Sequence, residues 1–208
     1  MHRSVGARRL LGTLAINTMS GQSISFTFPI LPSDADAAAR AIIDRDTSPL
    51  DGYATDNANF LVTFSRNNWL EYHVYLLVDG FKSNGLSYLS HSFDGKDHPA
   101  GGWFGVALHA EALPLACEGV RCLIANFPRD VIATSRLLGD AYISSEDIAL
   151  LTNFPSSISE TFARYKSSSS ANEGDDIPSL ITFLQAHLSV LEFAQSNSLS
   201  VMYAVYLY

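Results

Sequence analysis

Imidazole and carboxylate side chains gather in one stretch of this 208-residue chain. Four of the six histidines, His73, His91, His98 and His109, fall between positions 73 and 109, interleaved with Glu71, Asp94, Asp97 and Glu111. Imidazole nitrogens and carboxylate oxygens are donors that zinc, iron and manganese accept, and they are also common general acids and bases. Strand alternation places Glu71 with His73 on one face, Leu89 with His91 and Phe93, and Trp103 with Ala107 and His109. Were these faces to coincide in one sheet, Glu71, His73, His91 and His109 would form a candidate catalytic set. His91, His98 and His109 would form a candidate metal set. The spacings match no ligand motif, so the competing expectation is scattered surface or core histidines. His187 lies in the apolar stripe of a late helix and reads as a core histidine whose ring nitrogens are satisfied.

Other local chemistry is missing at motif level. The chain carries no Walker A loop, no Gly-x-Gly-x-x-Gly, no His-Glu-x-x-His, no Gly-x-Ser-x-Gly and no Cys-x-x-Cys. Cys117 sits among Leu113, Leu115 and Ala116, and apolar burial makes a thiol less acidic, so both cysteines are expected to pack rather than react. Gly101 and Gly102 could turn backbone N–H groups toward an anion, or simply close a long hairpin. No cofactor is implied.

Aromatic residues carry the second signal. Trp69, Tyr75, Trp103, Tyr206 and Tyr208 lie in predicted strands and are candidate binding residues, because Tyr and Trp with few charges is the composition of interface cores. Charged residues make up 16% of the chain, against about 25% in an average protein. Thirteen basic and 21 acidic residues give a net charge of −8. That balance argues against a nucleic-acid binder, which needs a basic footprint, and favours a basic protein partner. No apolar run reaches the length of a membrane span.

These side chains must be positioned by the elements around them. Residues 1–18 hold Arg3, Arg8 and Arg9 and no acid. They read as a basic leader or disordered tail, with organelle targeting an open alternative. Residues 19–208 read as a single α+β domain. Ile24, Phe26, Phe28 and Ile30 alternate as a strand, which Pro29 and Pro32 mark as an edge or terminate. A helix over about 34–45 follows, capped by Ser33. Strands are predicted over 60–64, 69–78, 86–93, 103–109 and 121–127, the middle ones as an antiparallel meander. A short helix over 111–118 is expected to end at Gly119. Further helices are expected from Pro128, near Ser144 or Ser145, and after a Ser157–Glu160 capping box. Residues 166–176 form a Ser-rich, acidic loop. Leu180, Phe183, Leu184, His187, Leu188 and Leu191 define an amphipathic helix, and Val201, Tyr203, Val205 and Leu207 a final strand.

The sum predicts a mostly antiparallel sheet of about six or seven strands with helices packed on one face. The function that follows is a non-catalytic, cytoplasmic protein-binding role, such as an immunity or inhibitor protein against a basic partner. Two alternatives stand beside it. One is a small metal-dependent or general-base hydrolase using the histidine and carboxylate cluster. The other is an assembly or coat subunit, or a homo-oligomer, to which low charge is suited.

Overall fold

The computed structural model describes residues 23–46, 48, 62–66, 82–90, 103–127, 145–153, 160–161, 163–164 and 177–207. The elements in chain order are β1 (Ser23–Ile30), α1 (Pro32–Ile43), β2 (Val62–Arg66), α2 (Ser87–Ser90), β3 (Trp103–Leu108), α3 (Leu113–Ala125), α4 (Ser145–Thr152), α5 (Ile177–Ser196) and β4 (Ser200–Leu207). The strands form one antiparallel sheet in the order β2-β1-β4-β3.

This sheet corrects the sequence expectation of six or seven strands with helices on one face. Among the described residues there are four strands, helices outnumber strands in residues, and helices cover both faces. The final strand is the reason. β4 pairs with β1 on one side and β3 on the other, so it runs through the centre. Its Val201, Tyr203 and Val205 pack with α3, α4 and α5, while Met202 and Ala204 pack with α1. A strand apolar on both faces is built to lie between two helical layers.

Two predicted strands are helical. Leu86 and Leu89 are both buried at a three-residue spacing, and 87–90 forms α2. The strand expected over 121–127 is the second half of α3, whose Leu113, Ala116, Cys117, Val120, Leu123 and Ile124 are buried at helical intervals. Gly119, expected to end that helix, lies inside it. A Cβ there would strike the Asn84 carbonyl oxygen and Leu86, so the glycine serves close approach rather than termination. β2 overlaps the strand expected over 60–64. The segments over 69–78 and 91–100, and from Pro128 to 144, lie outside the described residues, as do 1–22 and 165–176.

β1 keeps its expected face, with Phe26, Phe28 and Ile30 buried against α1. It is an inner strand rather than an edge. Pro29 is tolerated because the β1–β2 ladder ends at Thr27 and Val62, before the proline. The opposite, polar side is buried too, with Ser25 and Thr27 at most 1% exposed.

α1 begins with Pro32 in its first turn, preceded by Leu31 rather than a side-chain cap, and Asp34 lies near the positive helix end. It closes with Arg45 in the left-handed region (φ 65°) and the bonds Arg45 N–H to Ile42 O and Asp46 N–H to Ala41 O. Ala35, Ala38, Ala39 and Ile42 face the sheet. Gly105 of β3 lets them come close: a Cβ there would stand 2.8 Å from the Ala39 carbonyl oxygen and 3.1 Å from Ile42 Cβ. On the other face α5 is buried on nearly every side, against the sheet, α3 and α4. No helix among the described residues is long and apolar enough to cross a membrane.

Candidate functional site

His109 follows β3 directly, where the strand ends and the chain turns toward α3. Strand alternation carries the Trp103, Gly105 and Ala107 face on to this residue, and that face meets α1. Here the ring joins two other elements. Its Nε2 lies 2.9 Å from Asp36 Oδ1 on α1, and its Nδ1 lies 3.2 Å from Ser200 Oγ at the start of β4. The three groups grade from outside to inside: the Asp36 side chain is 66% exposed, His109 33%, and Ser200 is fully buried.

The donor pattern follows from these partners. A carboxylate only accepts, so Nε2 of a neutral ring carries the proton and donates to Asp36. Nδ1 is then bare and accepts from the Ser200 hydroxyl. Donation thus runs Ser200 to His109 to Asp36. Sequence reasoning singled out His109 but missed both partners. They stand 73 and 91 residues away in the chain.

A second imidazole is wholly interior. His187 of α5 is fully buried, with Nδ1 3.0 Å from Thr27 Oγ1 and Nε2 2.8 Å from the Tyr88 hydroxyl. It stacks on Phe183, and Tyr88 and Tyr203 pack edge-on to each other at 5.3 Å. This matches the expected core histidine. Burial pulls its pKa down to about 3, since a dry interior disfavours the charged ring. Burial also raises the Tyr88 pKa, with smaller contributions from Tyr203 and Cys117. The site is sealed and neutral, and its chemistry is structural.

Cys117 is likewise pushed up to about 11, chiefly by burial, and Cys117 and Cys122 form no disulfide. Arg121 of α3 pairs with Glu192 of α5 at 2.6 Å, tying the two helices at the surface.

Of the other candidates, Trp103 lies in β3 and packs partly buried against the α1 side of the sheet. Tyr206 stands opposite it in β4 by backbone register. Glu71, His73, His91, His98, Trp69, Tyr75 and Tyr208 lie outside the described residues. The structure therefore joins His109 to Asp36 and Ser200. Among the described residues no three His, Cys, Asp or Glu side chains come together as a metal set.

Comparison with protein-family models, curated proteins and solved structures finds no match to this chain.

Proposed function

We propose that this chain is a non-catalytic protein-binding protein that receives a basic partner on the outer surface of α1. The observation that carries the reading is the composition of that surface. Leu31 and Ile43, at the two ends of the helix, are 53% and 54% exposed, and Asp34, Asp36, Asp44 and Asp46 are exposed around them. Exposed apolar side chains among acidic ones offer a basic partner both contact area and charge. Arg40 and Arg45 offset only part of the acidity, and the whole chain carries −8. The Ser48 backbone N–H, and then its hydroxyl, hold the Asp46 carboxyl below its ordinary pKa and so keep it charged. An immunity or inhibitor role inside the cell fits such a surface, because opposite charge accelerates encounter.

Affinity capture tests this reading with two baits, the native chain and a Leu31→Glu/Ile43→Glu variant. A basic protein retained by the first and lost by the second supports it. Equal retention by both, or no basic protein on either, counts against it.

One observation favours general-base hydrolysis as a second reading. Donation from Ser200 to His109 to Asp36 has the order that activates a serine nucleophile. Enclosure of Ser200 opposes it, since a nucleophile must meet its substrate. Treatment with a sulfonyl fluoride separates the two: adduct mass on Ser200 favours hydrolysis, and an unmodified Ser200 favours binding.

A further inference from the structure

We propose that the chain's own first 22 residues dock on the outer surface of α1 as a tethered occupant, which a basic partner must displace; this regulation rests on the reading of α1 as a surface for basic chains. Charge and apolar pattern match across the two. The segment holds Arg3, Arg8 and Arg9, three of the thirteen Lys and Arg residues, and none of the 21 acids. α1 and the turn after it expose Asp34, Asp36, Asp44 and Asp46 against Arg40 and Arg45. His109 engages Asp36, so the guanidinium groups are assigned to Asp34, Asp44 and Asp46. The negative end of the helix lies at Asp44 and adds to the attraction. Leu10, Leu11, Leu14 and Ile16 make a short apolar run beside the arginines. Leu31 and Ile43 are more than half exposed at the two ends of α1, and such a run would take their apolar surface out of water.

The point of attachment brings the two together. Ser23 pairs with Leu207 and Trp103 with Tyr206, so the starts of β1 and β3 stand at one end of the sheet. α1 turns back from Ile30 toward that end, and its Ala39 and Ile42 meet Gly105 in the first half of β3. The chain therefore enters β1 on the side of Ile43 and Asp44. From Leu31 to Ile43 the helix spans about 18 Å. The seven residues from Ile16 to Ser23 reach up to about 23–25 Å, and the stretch from Arg9 about twice as far. A tether of this length sets an effective concentration in the millimolar range. Contacts too weak to hold two separate chains are then occupied within one. That favours the chain's own segment over a second copy, which brings the same residues only at its solution concentration.

The test uses the full-length chain alone. A benzophenone-bearing amino acid replaces Thr13, inside the apolar run, and photo-adducts are mapped by mass spectrometry after digestion. Crosslinks within one chain to residues 31–46 are expected. Arg3→Glu/Arg8→Glu/Arg9→Glu should lower their yield about fivefold, and so should Asp34→Lys/Asp44→Lys, because each turns attraction into repulsion. Combining the two sets exchanges the signs and should restore the yield. Adducts joining two chains, adducts spread evenly over the molecule, a yield indifferent to either reversal, or no recovery in the combined variant overturns the proposal. With no partner present, these outcomes stand apart from whether a basic protein is captured at all. Where affinity capture returns one, the arginine-reversed chain should retain about fivefold more of it, since the surface is no longer pre-occupied. Unchanged retention overturns the segment's role as a competitor.

Discussion

Replacing the buried Thr27–His187–Tyr88 network with apolar residues provides a quantitative test of the core. Tyr88→Phe alone removes the group 2.8 Å from His187 Nε2 and leaves that nitrogen unpaired in a fully buried ring. Such a loss costs about 1–3 kcal/mol. The triple change Thr27→Val, Tyr88→Phe and His187→Leu removes donors and acceptors together, and should cost less than the single change. The pH dependence is the sharper readout. The His187 pKa is depressed to about 3 in the folded chain, against about 6.5 for a free imidazole. Above about pH 6.5 both states are neutral and the depression has no effect. As pH falls from there toward 3, only the unfolded chain takes the proton, and stability declines by about 1.4 kcal/mol per pH unit. The whole loss is on the order of 5 kcal/mol by the bottom of that window. Urea denaturation of the native chain and the triple variant across pH 4–7 reads this directly. The difference between the two stability curves should slope by one proton. Parallel curves would refute the account of His187.

Three further outcomes follow from other contacts. Gly105→Ala sets a Cβ against the Ala39 carbonyl oxygen and Ile42, and should lower stability by about 1–3 kcal/mol in the same denaturation assay as α1 is pushed from the sheet. Ser198 closes α5 in the left-handed region at φ 56°, with Leu199 N–H bonded to Ala194 O; Ser198→Gly should raise the thermal midpoint, with a gain of about 0.5–1 kcal/mol. Cys117 is buried with its thiol pKa raised to about 11, so mass mapping after iodoacetamide treatment of the native chain near pH 8 should find it unmodified, and modified once urea unfolds the chain.

How much of this was legible in the sequence depended on the range of the interactions involved. The β1 face, α1, α5 and the apolar final strand followed from local periodicity, because each buries its residues at the period of its own backbone. α3 was split in two because Gly119 resembles a helix terminus, and only its contact with Asn84 and Leu86 explains why it is interior. The central position of β4 was hidden because Met202 and Ala204, between Val201, Tyr203 and Val205, also fit a strand with one covered face. Strand order is set by pairings such as Ser23 with Leu207 that span nearly the whole chain. The same holds at the site. His187 could be read as a satisfied core residue from its stripe alone. The partners of His109 could not, because no local spacing links Asp36, His109 and Ser200.

The binding role of the α1 surface is the central claim, and stopped-flow association with the captured basic protein tests it most directly. The native chain should associate at a rate that falls steeply as salt rises. Asp34→Lys/Asp44→Lys should slow association at least tenfold at low salt and flatten the salt dependence. A rate indifferent both to salt and to these reversals would contradict the account.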